Sequence, residues 1–266
     1  ALSSAASDVY KRQHHYTLFL NIAVSISAAC LTYAVCLHMA ELLLHVSAVH
    51  EAGYICSMLF IIPGFPFITS GIDLAKLDLR SGLERLTYSI IIVLVATMFA
   101  WIMALLLKLQ PQDFVALHLG SMMHLVLCLI ASFCGVFGFS IMFNSSVYIA
   151  ATAACIGAVA NTLRLELVDY TGMPSAAAAF IGALTAGLLA SIIKRNHGYP
   201  RISLTVPSIV IMVPGLYLYR AIYNFGIMSL TEAVLWFAAA IMIIVSLPLG
   251  LIFARILTDR TFRYCS

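Results

Sequence analysis

Apolar residues run through the chain in long stretches, at about 16–40, 53–72, 86–107, 115–143, 147–165, 175–193, 202–224 and 229–256, with short polar or charged turns between them. A helix needs about 20 predominantly apolar residues to cross a bilayer. The stretches have about that length, so the pattern predicts an all-α polytopic membrane protein with eight membrane elements. The stretch 147–165 departs furthest from an ordinary span, because alanines dominate it and Asn161 and Arg164 interrupt it. From Asp73 to Arg85, Leu74, Leu77, Leu79 and Leu83 recur among charges, which predicts a short amphipathic element along the membrane surface.

The chain also repeats itself. Ile61-Ile62-Pro63-Gly64-Phe65 aligns without gaps on Met212-Val213-Pro214-Gly215-Leu216 at an offset of 151 residues, and Leu79 to Leu83 then falls on Leu230 to Val234. Each copy is an apolar helix interrupted by Pro-Gly, a semi-polar stretch, and a second apolar helix. Proline removes a backbone donor and clashes with the preceding turn, and the following glycine lets the chain leave helical geometry. In lipid the freed polar groups have no water partner, so such a break persists only beside protein or an aqueous cavity. Two related breaks therefore predict one shared central site. There, half-helix N-termini would face an anion and freed carbonyls a cation. The plainer reading of either break alone is a structural kink.

Cations set the orientation. Lys76, Arg80 and Arg85 follow the second element, Lys194, Arg195 and Arg201 the sixth, and Arg255, Arg260 and Arg263 the eighth, whereas the alternate loops hold only Lys108, Arg164 and Arg220. With eight crossings, both termini and the loops after elements two, four and six are cytoplasmic. The two Pro-Gly copies then have opposite orientation, the layout of an inverted-repeat carrier. The parity fails if 147–165 does not cross or if a Pro-Gly element is a re-entrant hairpin.

Composition narrows the class further. Of 266 residues, 63% are hydrophobic and 9% charged, with a mean hydropathy of +1.04. Fourteen Lys+Arg against eleven Asp+Glu leave a net charge of +3 and no basic face for nucleic acid. The cysteines form no C-x-x-C pair, and His118 and His124, six apart, fall on different helix faces, so neither a disulfide framework nor a metal site is expected. No cofactor is called for. A membrane enzyme lacks support as well: there is no H-E-x-x-H, no nucleophile elbow and no pair of aspartates on facing spans. Ala1 to Gln13 is polar and unlike a signal peptide. Its stretch Asp8 to Gln13 resembles a translated sequencing adapter, so residues 1–13 are expected to be non-native and the protein to be truncated at its N-terminus.

The candidate binding residues follow from the breaks and from polar groups within apolar helices. They are Pro63, Gly64, Thr69, Ser70, Asn144, Asn161, Pro214, Gly215, Tyr219 and Arg220. Arg220 would attract a carboxylate or else snorkel to the interface, and Tyr217 and Tyr219 would line the site or form an aromatic belt. Asp73, Glu166 and Asp169 are the candidates for proton coupling, since ionisable groups within spans are functional by default. Against this, Asp73 can be a boundary charge beside Lys76, and Glu166 and Asp169 can lie in an external loop. His118 and His124 are expected to make interhelical hydrogen bonds rather than carry protons.

Ile62-Pro63-Gly64-Phe65-Pro66, Asp73-Leu74 and Ser81-Gly82-Leu83-Glu84-Arg85 resemble the end of the first half of the threonine/serine exporter (ThrE) family. Gly138-Phe139 with Phe143-Asn144, the element around Gly157, and Val213-Pro214-Gly215 with Tyr219-Arg220-Ala221 resemble its second module. Ser145-Ser146 departs from the family, which often has a proline there. The resemblance divides the chain into the end of a first module at 14–110 and a second module at 111–266. It implies proton-driven export of small hydrophilic metabolites, with threonine and serine the named substrates and succinate that of two-subunit relatives. The expected location is the inner membrane, with the C-terminus cytoplasmic. Expected partners are an amino acid or carboxylate, the bilayer, and either a second copy of the chain or the missing N-terminal helices. The rival reading is a structural subunit whose broken helices merely pack.

Overall fold

The computed structural model describes residues 18–44, 53–54, 56–57, 61, 63–107 and 120–259; residues 1–13 and His118 lie outside these. The described residues form helices α1 (Leu18–Leu44), α2 (Gly64–Ala75), α3 (Leu79–Leu106), α4 (Ser121–Met142), α5 (Val147–Thr171), α6 (Ser175–His197), α7 (Arg201–Val210), α8 (Gly215–Gly226) and α9 (Leu230–Thr258). No strand occurs among them. Six helices (α1, α3, α4, α5, α6 and α9) are long and apolar enough to cross a membrane, and α7 with α8, bent by 43° at the break, makes a seventh if taken as one span. The second predicted element, 53–72, falls partly outside the described residues, and the helix described at its end is the 12-residue α2, which runs on to Ala75. The alanine-rich stretch at 147 continues to Thr171 and has the length of a full span.

Side chains are distributed as lipid rather than water dictates. Large apolar residues such as Leu94, Met98, Ile102 and Leu105 on α3 and Met242, Val245 and Leu249 on α9 face outward. The interior carries small ones: Ala96, Ala100 and Ala104 on α3, and Ala179, Ala183, Ala186 and Ala190 on α6. Lipid tails are as apolar as leucine, so burying leucine gains little, and close backbone approach through small residues supplies the packing instead. Gly250 shows the tightness of fit. A Cβ there would lie 2.5 Å from the Phe180 carbonyl and 2.9 Å from the Leu184 nitrogen, so α9 rests directly on the α6 backbone.

The repeat governs the architecture at residue-level register. Pro63 (φ −78°, ψ 65°) and Pro214 (φ −81°, ψ 57°) precede α2 and α8, which have 12 residues each. Leu77 and Met228 both take φ of 63°, and Asp78 and Ser229 then cap α3 and α9 with nearly equal angles. The closing bonds match as well: the Asp78 N–H donates to the Asp73 carbonyl at 3.1 Å, and the Ser229 N–H to the Asn224 carbonyl at 2.9 Å.

This joint corrects one expectation. Residues 73–85 are not a single surface helix, because the left-handed Leu77 turns the chain. Asp78, whose carboxylate accepts from the Ser81 N–H at 3.4 Å, starts α3 seven residues earlier than the apolar pattern placed it.

The copies also trade partners: α2 packs on α9, and α8 packs on α3, while α1 lies on α3 as α6 lies on α9. A reciprocal contact of this kind is what a two-fold axis between the halves produces. At the same 151-residue offset Leu18–Leu44 falls on 169–195 and so overlaps most of α6, which extends the repeat one helix earlier than the Pro-Gly motif alone revealed.

Gly250→Ala is expected to lower the melting temperature in detergent, with an overpacking cost of about 1–3 kcal/mol. Gly138→Ala, whose added Cβ meets nothing within 4 Å, serves as the silent control. Equal melting of both variants would refute the close α6–α9 packing.

Candidate functional site

A cavity of about 220 Å³ sits where the chain is interrupted. Its wall takes Gly64 from the start of α2, Phe139 from α4, Arg164 from α5, the break Val210 to Gly215, Tyr217 from α8 and Ile243 from α9. The two Pro-Gly breaks, 151 residues apart in sequence, thus meet at one space. Gly64 faces Val210 and Val213, and an added Cβ there would sit 3.4 Å from each side chain, so the first break lies against the second.

Neither Pro63 nor Pro214 gives its helix a side-chain cap. The Gly215 N–H donates to the Val213 carbonyl at 2.8 Å and Pro66 has no N–H to offer, so the other first-turn N–H groups of α2 and α8 are left without a side-chain cap and carry the positive end of the helix dipole. On the other side of the break, α7 ends at Val210, where its last carbonyls carry the negative end. The Met212 and Val213 N–H groups bond back to Ile209 and Val210 at 2.9 and 3.1 Å, tightening that turn.

Arg164 is the one charged residue lining this cavity. It sits in α5 where α6 approaches through Gly182; a Cβ on that glycine would lie 3.2 Å from the Arg164 Cβ and 3.1 Å from the Ala160 carbonyl. The Arg164 Nε is buried with no hydrogen-bond partner, and no ion pair involves the guanidinium among the described residues. A cation partly buried without a partner is costly, and an ionisable group inside a span is a functional candidate by default. Tyr217 closes the rim, its hydroxyl 3.1 Å from the Ser175 Oγ and its ring edge-on to Trp236.

The remaining predicted residues stand elsewhere. Thr69 and Ser70 are buried, but their hydroxyls donate to the Phe65 and Phe67 carbonyls of their own helix, and neither lines the cavity. Asn144 is exposed, in a left-handed turn (φ 61°) that joins α4 to α5. Asn161 lies between α4 and α5, donating through Nδ2 to the Ser132 Oγ at 2.8 Å, with its Oδ1 left without a partner. Tyr219 is buried in an aromatic cluster, its ring tilted against those of Tyr54 and Tyr223. Arg220 lies over the Trp236 ring, 4.9 Å from its centroid.

The acidic candidates separate in the same way. Asp73 is held by Arg85 at 2.8 Å, a bond that ties α2 to α3. The second copy has Trp236 where the first has Arg85, so one position latches each broken helix to the following long helix, by an ion pair in one copy and a cation–π contact in the other. Glu166 and Asp169 belong to the last turns of α5 rather than to an external loop, because the helix runs on to Thr171 and stops only at left-handed Gly172. Asp169 is exposed, whereas Glu166 is partly buried with its Oε1 3.7 Å from the His124 Nδ1 of α4. His124 does not make the interhelical hydrogen bond expected of it: the Glu166 Oε1 is without a hydrogen-bond partner, and the imidazole lies 3.7 Å from the Cys128 Sγ of its own helix. No group of three or more metal-ligating side chains occurs among the described residues.

Residues 128–257 match the family model described as threonine/serine exporter, ThrE, and residues 1–108 match a second threonine/serine exporter model. The chain belongs to the threonine/serine exporter family. This is a family of membrane transporters, not a class of enzymes, and the helices described above make this exporter-family chain a multi-pass membrane protein. No curated protein and no solved structure matches the chain. The two family stretches meet at the cavity: the first contributes Gly64, and the second contributes Arg164 and the broken helix.

Sequence reasoning did not select Arg164 for the site. The signal was a cation inside an alanine-rich span, which the default for intramembrane charges marks as functional.

Ser132→Ala is expected to cost about 1–3 kcal/mol in detergent unfolding, because it strands the Asn161 amide, whereas Ser132→Ala with Asn161→Leu should lie close to wild type. A double variant less stable than the single one would show that the pair is not the α4–α5 tie described.

Proposed function

We propose that the protein is a carrier that exports threonine or serine by alternating access, with the cavity at the paired breaks as its binding site. One observation carries this: the two Pro-Gly breaks and the unpartnered Arg164 line a single space. Its volume is below the roughly 300–1,000 Å³ of sites for drug-sized ligands, which suits a small metabolite. The field across the break suits a zwitterion. A carboxylate would be met by Arg164 and the N-termini of α2 and α8, and an ammonium by the carbonyls ending α7. No carboxylate side chain lines the cavity, and this favours a dicarboxylate of the succinate type as the second reading.

Glu166, two residues from Arg164 and facing His124, is the proposed proton-coupling group. Asp73 is already engaged by Arg85 and Asp169 is exposed, so both are weaker candidates. The 43° bend at the second break continues one direction and does not reverse it, in favour of a crossing by α7 and α8 together and hence of inverted repeats. The location proposed is the inner membrane with a cytoplasmic C-terminus.

In proteoliposomes, Arg164→Gln is expected to slow labelled-threonine transport about ten- to a hundred-fold, the usual effect of losing hydrogen bonds to a charged group, with correct insertion and melting retained. Succinate run in parallel decides the substrate class. Wild-type rates in Arg164→Gln would remove this site, and transport of neither solute would put the scaffold reading first. An imposed proton gradient should drive wild-type flux and fail to drive Glu166→Gln; equal driving of both excludes Glu166 from coupling. Thr171→Cys should be labelled from outside and His197→Cys from inside, and labelling of both from one side would overturn the orientation.

A further inference from the structure

A second cavity, of about 170 Å³, lies between α2, α6, α7 and α9 and shares no lining residue with the first. Four cations border it: Lys76 from the turn after α2, Lys194 from the end of α6, Arg201 from the start of α7, and Arg255 from the last turn of α9. Asp259 is the only carboxylate in its wall, and it stands 3.7 Å from the Arg255 Nε.

Arg201 is set in place by donating to the Thr258 Oγ1 at 3.1 Å and to the Gly187 carbonyl at 3.4 Å. The Lys76 and Lys194 ammonium groups are exposed and have no hydrogen bond or ion pair among the described residues. Like charges gathered against apolar walls repel one another, and the arrangement persists at least cost when an anion lies between them.

We propose that this cavity binds a phosphate group at the membrane boundary. Three features select that chemistry. The four cations come from segments that follow elements two, six and eight, which charge bias places together on the cytoplasmic side, where anionic lipid headgroups concentrate. Two guanidinium groups with two exposed ammonium groups match a tetrahedral oxyanion with several acceptor oxygens. Ile72, Ile202, Leu251 and Ile252 form an apolar floor beneath the cations, the surface that the glycerol and first methylenes of a phospholipid would cover and that free phosphate would leave bare. A lipid headgroup is therefore the favoured source of the phosphate.

The test is native mass spectrometry of the detergent-purified protein titrated with cardiolipin or phosphatidylcholine, with melting temperatures in inorganic phosphate as a parallel arm. Cardiolipin should bind wild type and bind the Lys76→Gln/Lys194→Gln double variant about ten-fold or more weakly. Both lysines are exposed, so the variant keeps its fold. Phosphatidylcholine should not bind at this site. Arg80→Gln, which removes a charge whose side chain is 90% exposed, should leave cardiolipin affinity unchanged. Stabilisation by inorganic phosphate that the double variant loses, without cardiolipin binding, would assign the same site to a soluble phosphate. Equal cardiolipin binding by wild type and the double variant, an equal loss in Arg80→Gln, or no response to either probe would overturn the proposal.

Discussion

A backbone amide in hydrocarbon has to find its partner within the protein, and the arrangement of this chain follows from the two places where it cannot do so inside its own helix. At Pro63-Gly64 a helix starts with no side-chain cap, and before Pro214-Gly215 the hydrogen-bond ladder of α7 stops at Val210. Each interruption is tolerable only if enclosed: Gly64 of the first repeat lies against Val210 and Val213 of the second, and the wall around the second break is completed by α4, α5 and α9 of its own half. The partner exchange of α2 with α9 and α8 with α3 is the packing that brings both interruptions to one depth. The alanine- and glycine-rich interior is what lets the helices come close enough to do it.

The fold was legible in the sequence wherever a physical rule acts on neighbours in the chain. Long apolar runs gave the spans, and the 151-residue offset survives in the structure as equal helix lengths and matching cap angles. The joint after α2 was hidden, because a left-handed residue is expected to be glycine, asparagine or aspartate and the chain places Leu77 there. Leucines among charges then imitated an amphipathic helix. The end of α5 was hidden for a related reason: Arg164, Glu166 and Asp169 suggested a solvated loop, whereas Leu165 and Leu167 carry the helix through them to Thr171.

The site was legible only in part, since a cavity is a long-range object. The breaks announced themselves, and their meeting was an inference from symmetry that the geometry supplies. Thr69 and Ser70 looked like ligands by residue type, yet a hydroxyl in a helix readily bonds the carbonyl a turn earlier, and both do so. Arg164 looked like a defect in a span, and its contact with the cavity depends on Gly182 of another helix making room for its stem.

The two joints share a backbone and differ in chemistry. Across the 16 positions from Gly64 to Leu79, only the two end residues coincide with those of Gly215 to Leu230. The latch of the first joint is the half-exposed Asp73–Arg85 ion pair, which dissolved salt screens, and that of the second is Arg220 on the Trp236 indole, which salt affects less. Joints of equal shape held by unequal fasteners differ in their response to dissolved salt, so on the proposed alternating-access reading ionic strength, through one latch more than the other, becomes a thermodynamic bias on which facing prevails.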